Sequence, residues 1–173
     1  MTKEDKELLL KDLCARLQCG VKVYNTTFKE PTIMTLYGKA SSDVFLMEET
    51  YTSVGVDGDD FGFFNKRHYT GCVDFIKPFL RPMSSMTEEE AKEIAILHDI
   101  KDILSIKITD EYIEVVVDDG FCSTEIRTIW YDEIISSLKI FDWLNKHHFD
   151  YRGLIEKGLA LEAPEGMYNI KDE

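Results

Sequence analysis

The stretch Val73–His98, VDFIKPFLRPMSSMTEEEAKEIAILH, constrains this chain more than any other. Pro78 and Pro82 each lack a backbone donor and lock φ, so their run is not expected in a central strand or a helix interior. Five residues on, Thr87 followed three positions later by Glu90 has capping-box spacing. Glu88, Glu89 and Glu90 also fill a first turn, where the helix dipole favours negative charge. A helix is predicted over Glu88–His98, with a domain boundary just before it, dividing the chain into 1–84 and 85–173.

The two parts carry different periodicities. Leu9, Leu10, Leu13, Ala15 and Leu17 fall at helical spacing within Asp5–Leu17, and Gly20 is a natural stop. Short β-branched and aromatic runs follow: Val21–Tyr24, Thr32–Tyr37, Val44–Met47, Tyr51–Val56 and Phe61–Phe64. Turn residues separate them, which predicts a small antiparallel meander, either open or closed into a barrel. After the Glu88 helix, strands are predicted at Leu104–Ile108, Tyr112–Val117 and Ser123–Tyr131, with Asp119-Gly120 turning the last hairpin. Ser136 and Ser137 then offer N-caps for a helix reaching His147, and Tyr151–Lys157 is expected to form a second short helix ending at Gly158. The predicted class is α+β: an N-terminal helix and β-meander or barrel, then helix, hairpin and C-terminal helices. No Gly/Ser linker is present, so the halves are expected to pack together.

Charge and cysteine usage narrow the function. Thr2–Asp12 alternates charge with leucine, and no apolar run approaches the roughly 20 residues a bilayer requires, so neither a secretory signal nor a membrane partner is expected. The formal charge is −13. It is concentrated: Ser84–Glu133 holds 14 acids against 4 bases. An acidic middle disfavours direct nucleic-acid binding, which needs clustered cations to displace counterions. Cys14, Cys19, Cys72 and Cys122 form no C-x-x-C pair, and reduced thiols are the expectation; only Cys14 and Cys19 lie close enough for a disulfide across a helix end.

Several constellations invite chemistry. Asp57-Gly-Asp-Asp-Phe-Gly62 begins like an EF-hand loop, but Phe61 stands at its fifth position and His68 at its twelfth, so a hairpin turn explains it better. Lys66, Arg67 and His68 among aromatics suggest a phosphate-and-base platform, or simply a solvated loop. His98-Asp99 fits a helix end where a cationic imidazole meets the last carbonyls. No phosphate-loop, dinucleotide or nucleophile-elbow motif occurs, and no cofactor or metal site is expected.

That leaves Asn145–Gly153, NKHHFDYRG. Adjacent histidines on a helix point about 100° apart and do not chelate one ion as an i, i+4 pair does. The pattern suggests that Lys146, His147 and His148 end a helix with favourable charge, that Asp150 caps the next, and that Phe149 and Tyr151 fill the corner. His147, His148, Asp150, Tyr151 and Arg152 are therefore the candidate contact surface, with no catalytic residue assigned.

Three stretches carry a resemblance: Leu8–Leu17, LLLKDLCARL; Lys77–Glu90, KPFLRPMSSMTEEE; and Asp142–Tyr168, DWLNKHHFDYRGLIEKGLALEAPEGMY. The chain resembles small uncharacterised proteins of phages, prophages and mobile elements of gut Bacteroidales. That group tends to have a proline and an aromatic where this chain has Gln18 and Cys19. The resemblance implies a bacterial host cytoplasm and carries over no activity or catalytic residue. The leading expectation is a non-enzymatic accessory or host-modulating protein with a protein partner. Two alternatives stand beside it: an acidic DNA mimic competing for a basic host protein, and a small hydrolase or nuclease using His147, His148 and Asp150.

Overall fold

Thr2 Oγ1 accepts the Asp5 N–H and the Asp5 carboxylate answers the Thr2 N–H, a capping box that starts α1 (Lys3–Ala15). Leu9 and Leu13 are buried on the helix, together with Asp12. One turn on, Arg16 lies fully buried and returns two hydrogen bonds to Asp12, at 2.8 and 3.1 Å. In this computed structural model residues 1–27, 32–54, 60–120 and 123–168 are described. The chain forms two units: Met1–Phe79 with Leu154–Leu161, and Leu80–Gly153 with Glu162–Glu173.

The first unit is built on a six-stranded sheet. Its strands are β1 (Lys22–Asn25), β2 (Thr32–Lys39), β3 (Val44–Val54), β4 (Asp60–Cys72), β5 (Ile76–Leu80) and the two-residue strand Leu161–Glu162, in the order β4-β3-β2-β1-β5-(161–162). The core-facing positions alternate as a half-buried sheet requires: Val21 and Val23, Met34 and Leu36, Phe45 and Met47 are all buried.

Four expectations for this region change. The barrel does not close: among the described residues β4 and Leu161–Glu162 remain the sheet's two edges. Closure needs the two edge strands to pair with each other, and here the edges are unequal, 13 residues in β4 against two in Leu161–Glu162. The separate runs expected at Val44–Met47 and from Tyr51 join in β3, which ends at Val54; the rest of the second run lies outside the described residues. Lys66, Arg67 and His68 are not in a loop but lie on β4, opposite Thr50, Glu49 and Glu48. Pro78 sits inside β5, between β1 and Leu161–Glu162, opposite Val23. Phe75 accepts from the Thr26 N–H towards β1, while Leu80 accepts from the Ala163 N–H on the other side. By alternation Pro78 turns its donorless nitrogen away from β1, towards a neighbour only two residues long. The Asp57–Asp59 part of the calcium-like loop, and Cys122, lie outside the described residues.

In the second unit α2 (Glu88–Leu97) and α3 (Leu138–Lys146) cover one face of an antiparallel sheet of β6 (Ile103–Ile108), β7 (Tyr112–Asp118) and β8 (Thr124–Trp130), ordered β6-β7-β8. Ala91, Ile94 and Ala95 of α2 meet Ile113, Val115 and Val117 of β7 and Ile140 and Leu144 of α3 in one apolar cluster. Gly120 turns the β7–β8 hairpin at φ +76°, its N–H bonded to the Asp118 carboxylate. Tyr151–Lys157 is not a helix but a run of turns. Gly153 and Gly158, at φ +65° and +67°, bracket a segment too short to carry the cost of helix nucleation. No helix among the described residues is long and apolar enough to cross a membrane.

Candidate functional site: an acidic cleft in the second unit

The cleft is assembled by a backbone junction. Arg81 and Phe149 form a parallel bridge, with the Arg81 N–H donating to His148 O at 2.9 Å and the Asp150 N–H donating to Arg81 O at 2.8 Å. The segment after β5 is thus tied to the residues that follow α3. α3 ends there in a Schellman motif: the Phe149 N–H reaches Leu144 O and the His148 N–H reaches Asn145 O. His148 takes the position glycine usually fills, at φ +60°.

That reversal sends the two imidazoles in different directions. His147 stacks on Trp143, ring centroids 3.8 Å apart, and its Nδ1 lies 3.4 Å from Glu90 Oε1. His148 is buried and stacks on Tyr168 at 3.8 Å. Glu90 is the hub. Arg81 grips both its carboxylate oxygens at 2.7 and 2.8 Å, and Oε2 also accepts the Thr87 N–H. Burial alone would raise the Glu90 pKa, but the bonds from His147, Arg81 and Thr87 outweigh it and pull the group down to about 2. The Arg81 guanidinium lies 4.3 Å above the Phe149 ring and also donates to Ser85 O.

Around this floor opens a cleft of about 1200 Å³. Five glutamates line it, Glu89, Glu90, Glu93, Glu162 and Glu165, against Arg81 and His147. Glu93 accepts the indole N–H of Trp143 at 2.8 Å. Glu89, Glu162 and Glu165 are exposed, and no ion pair to them occurs among the described residues.

Of the five residues expected to form a contact surface, only His147 lines the cleft. Asp150 is buried, and Tyr151 donates to Asn145 Oδ1 at 2.8 Å and meets Phe141 edge-on. The Arg152 guanidinium lies 4.8 Å from the Tyr151 ring. His98 is the C-cap of α2 as expected, but its half-buried imidazole is desolvated, which lowers its pKa and disfavours the cationic form expected there. Sequence reasoning missed Arg81, Glu162, Glu165 and Tyr168 altogether. It placed Glu90 only as a cap.

Elsewhere, Asp43, Cys72 and Asp74 of the first unit come together like a three-ligand metal set. Lys6 Nζ stands 2.8 Å from Asp74 and 3.3 Å from Asp43, so an ammonium already serves both carboxylates and holds each below its ordinary pKa. Cys14, Cys19 and Cys72 are free thiols.

The fold and cleft define an α+β protein with an acidic concave surface. No family model, curated protein or solved structure matches the chain.

Proposed function

We propose that this is a non-enzymatic interaction protein whose acidic cleft receives a basic segment of a protein partner. The observation that carries the reading is the division of labour among the cleft's charges. Glu90 is engaged with Arg81 and His147, while Glu89, Glu162 and Glu165 are exposed on the cleft's lining. The cleft's two aliphatic hydroxyls are also employed: Ser85 donates to Pro82 O and Thr87 caps α2. A floor so mutually satisfied is suited to holding a shape, and a rim of carboxylates to attracting Lys or Arg.

The two longer stretches that resemble phage and mobile-element proteins, Lys77–Glu90 and Asp142–Tyr168, supply every cleft residue except Glu93. This supports the cleft as the feature those proteins share, and with it a host-modulating role in a bacterial cytoplasm. The hydrolase alternative gains less support, since His148 and Asp150 are buried away from His147's cleft. DNA mimicry also gains little. The acids of the middle segment are spread over α2, the hairpin turn and β8, and Glu88, Glu90 and Glu125 are paired with Lys92, Arg81 and Arg127.

The test is a titration with fluorescent ten-residue peptides rich in Lys/Arg or in Glu, by anisotropy at two salt concentrations. The basic peptide is expected to bind, more weakly at higher salt, and at least tenfold more weakly to the triple variant E89Q/E162Q/E165Q. Equal binding of basic and acidic peptides, or an unaffected triple variant, would sink the reading.

A further inference from the structure

β8 is an edge strand, paired on one side with β7 and on the other with nothing among the described residues. Six of its seven residues are exposed, Ile126 at 62 %. Such an edge is a template for another strand unless something blocks it. Charged side chains are the usual block, and β8 carries Glu125 and Arg127. They are of opposite sign, two apart on one face, about half exposed, and 3.2 Å from each other. That arrangement selects a partner.

We propose that β8 pairs antiparallel with β8 of a second copy of this chain, in a two-fold register centred on Ile126. Opposed residues in such a pair share a face. Centring on Ile126 places Glu125 opposite Arg127 of the other copy, twice. Centring on Glu125 or on Arg127 opposes like charges, and centring on Thr124 or Thr128 leaves both charges without an opposite.

The backbone agrees with this register. The Tyr131 N–H donates to Glu111 O, and the Asp119 N–H donates to Ser123 O. Odd-numbered residues of β8 therefore turn their polar groups to β7, and Thr124, Ile126 and Thr128 turn theirs outward. In the Ile126 register those three meet their counterparts in about six main-chain hydrogen bonds. On the outer face, Val116 already lies opposite Ile126. Pairing extends this into a row of four aliphatic side chains, Val116 and Ile126 from each copy, and gives a continuous six-stranded sheet.

Sedimentation velocity of the full chain over a range of concentrations tests this. The expected species has twice the 20.0 kDa chain mass. E125R and R127E singly oppose like charges and are expected to raise the dimer dissociation constant at least tenfold. The double variant E125R/R127E restores opposite charges and is expected to return within about threefold of the starting chain. Both sites are exposed, so the single variants keep the fold, checked by circular dichroism. A monomer at every concentration overturns the proposal, as does R127E dimerising like the starting chain or the double variant failing to recover.

Discussion

Glu90 shows how much one residue can carry beyond its local role. From the chain its position three after Thr87 makes it a cap, and the structure keeps that cap. The added duties, gripping Arg81 and meeting His147, come from partners nine and 57 positions away. Its pKa of about 2 against an ordinary 4.5 means that the unfolded chain takes up the proton first as pH falls. The stabilisation is thus complete above about pH 4.5 and lost as pH drops towards 2, an effect of about 3 kcal/mol for this well-buried group. Urea unfolding of Glu90→Gln is expected to show a loss of that order at pH 7. The difference from the unsubstituted chain should shrink towards pH 2. His148 makes the same point about legibility: nothing in NKHHFDYRG signals a left-handed histidine, because local preference there favours glycine.

Elements were legible where local pattern sufficed. α2 stops one residue short of its expected end and α3 likewise, because a capping box and an N-cap serine at their starts are local devices. β3 and β4 read as pieces because polar residues interrupt their apolar runs, and those residues pair across a long hairpin, Glu48 with His68 and Glu49 with Arg67. Pro78 entered a strand because a strand's two edges differ, a distinction no single run of sequence contains. Gly71 on β4 is a further case. A Cβ there would come within 2.6 Å of Met47 Cε, 3.0 Å of Asn25 Nδ2 and 3.2 Å of Ile76 Cδ1. Gly71→Ala is therefore expected to cost about 1 to 3 kcal/mol by overpacking, read as a lowered urea midpoint with an unchanged slope.

At the scale of the molecule, charge dominates behaviour outside the core. With a sequence pI near 4.7, solubility is expected to be lowest close to that pH, measured by turbidity. Glu90 stays ionised there, so the precipitated chain should be folded and redissolve at pH 7 with its circular dichroism intact. The helices α1, α2 and α3, the Gly120 turn, the α+β class and the concentration of acid in the middle were set by the sequence by itself, since each depends on neighbours a few positions apart. Only the tertiary structure decided that the first sheet stays open. Only it decided that Arg81 and His147 converge on Glu90, and that of NKHHFDYRG one histidine faces a cleft while the other is buried. Those outcomes depend on which distant segments come to share a surface, and there burial and pairing between remote charges outweigh any local preference.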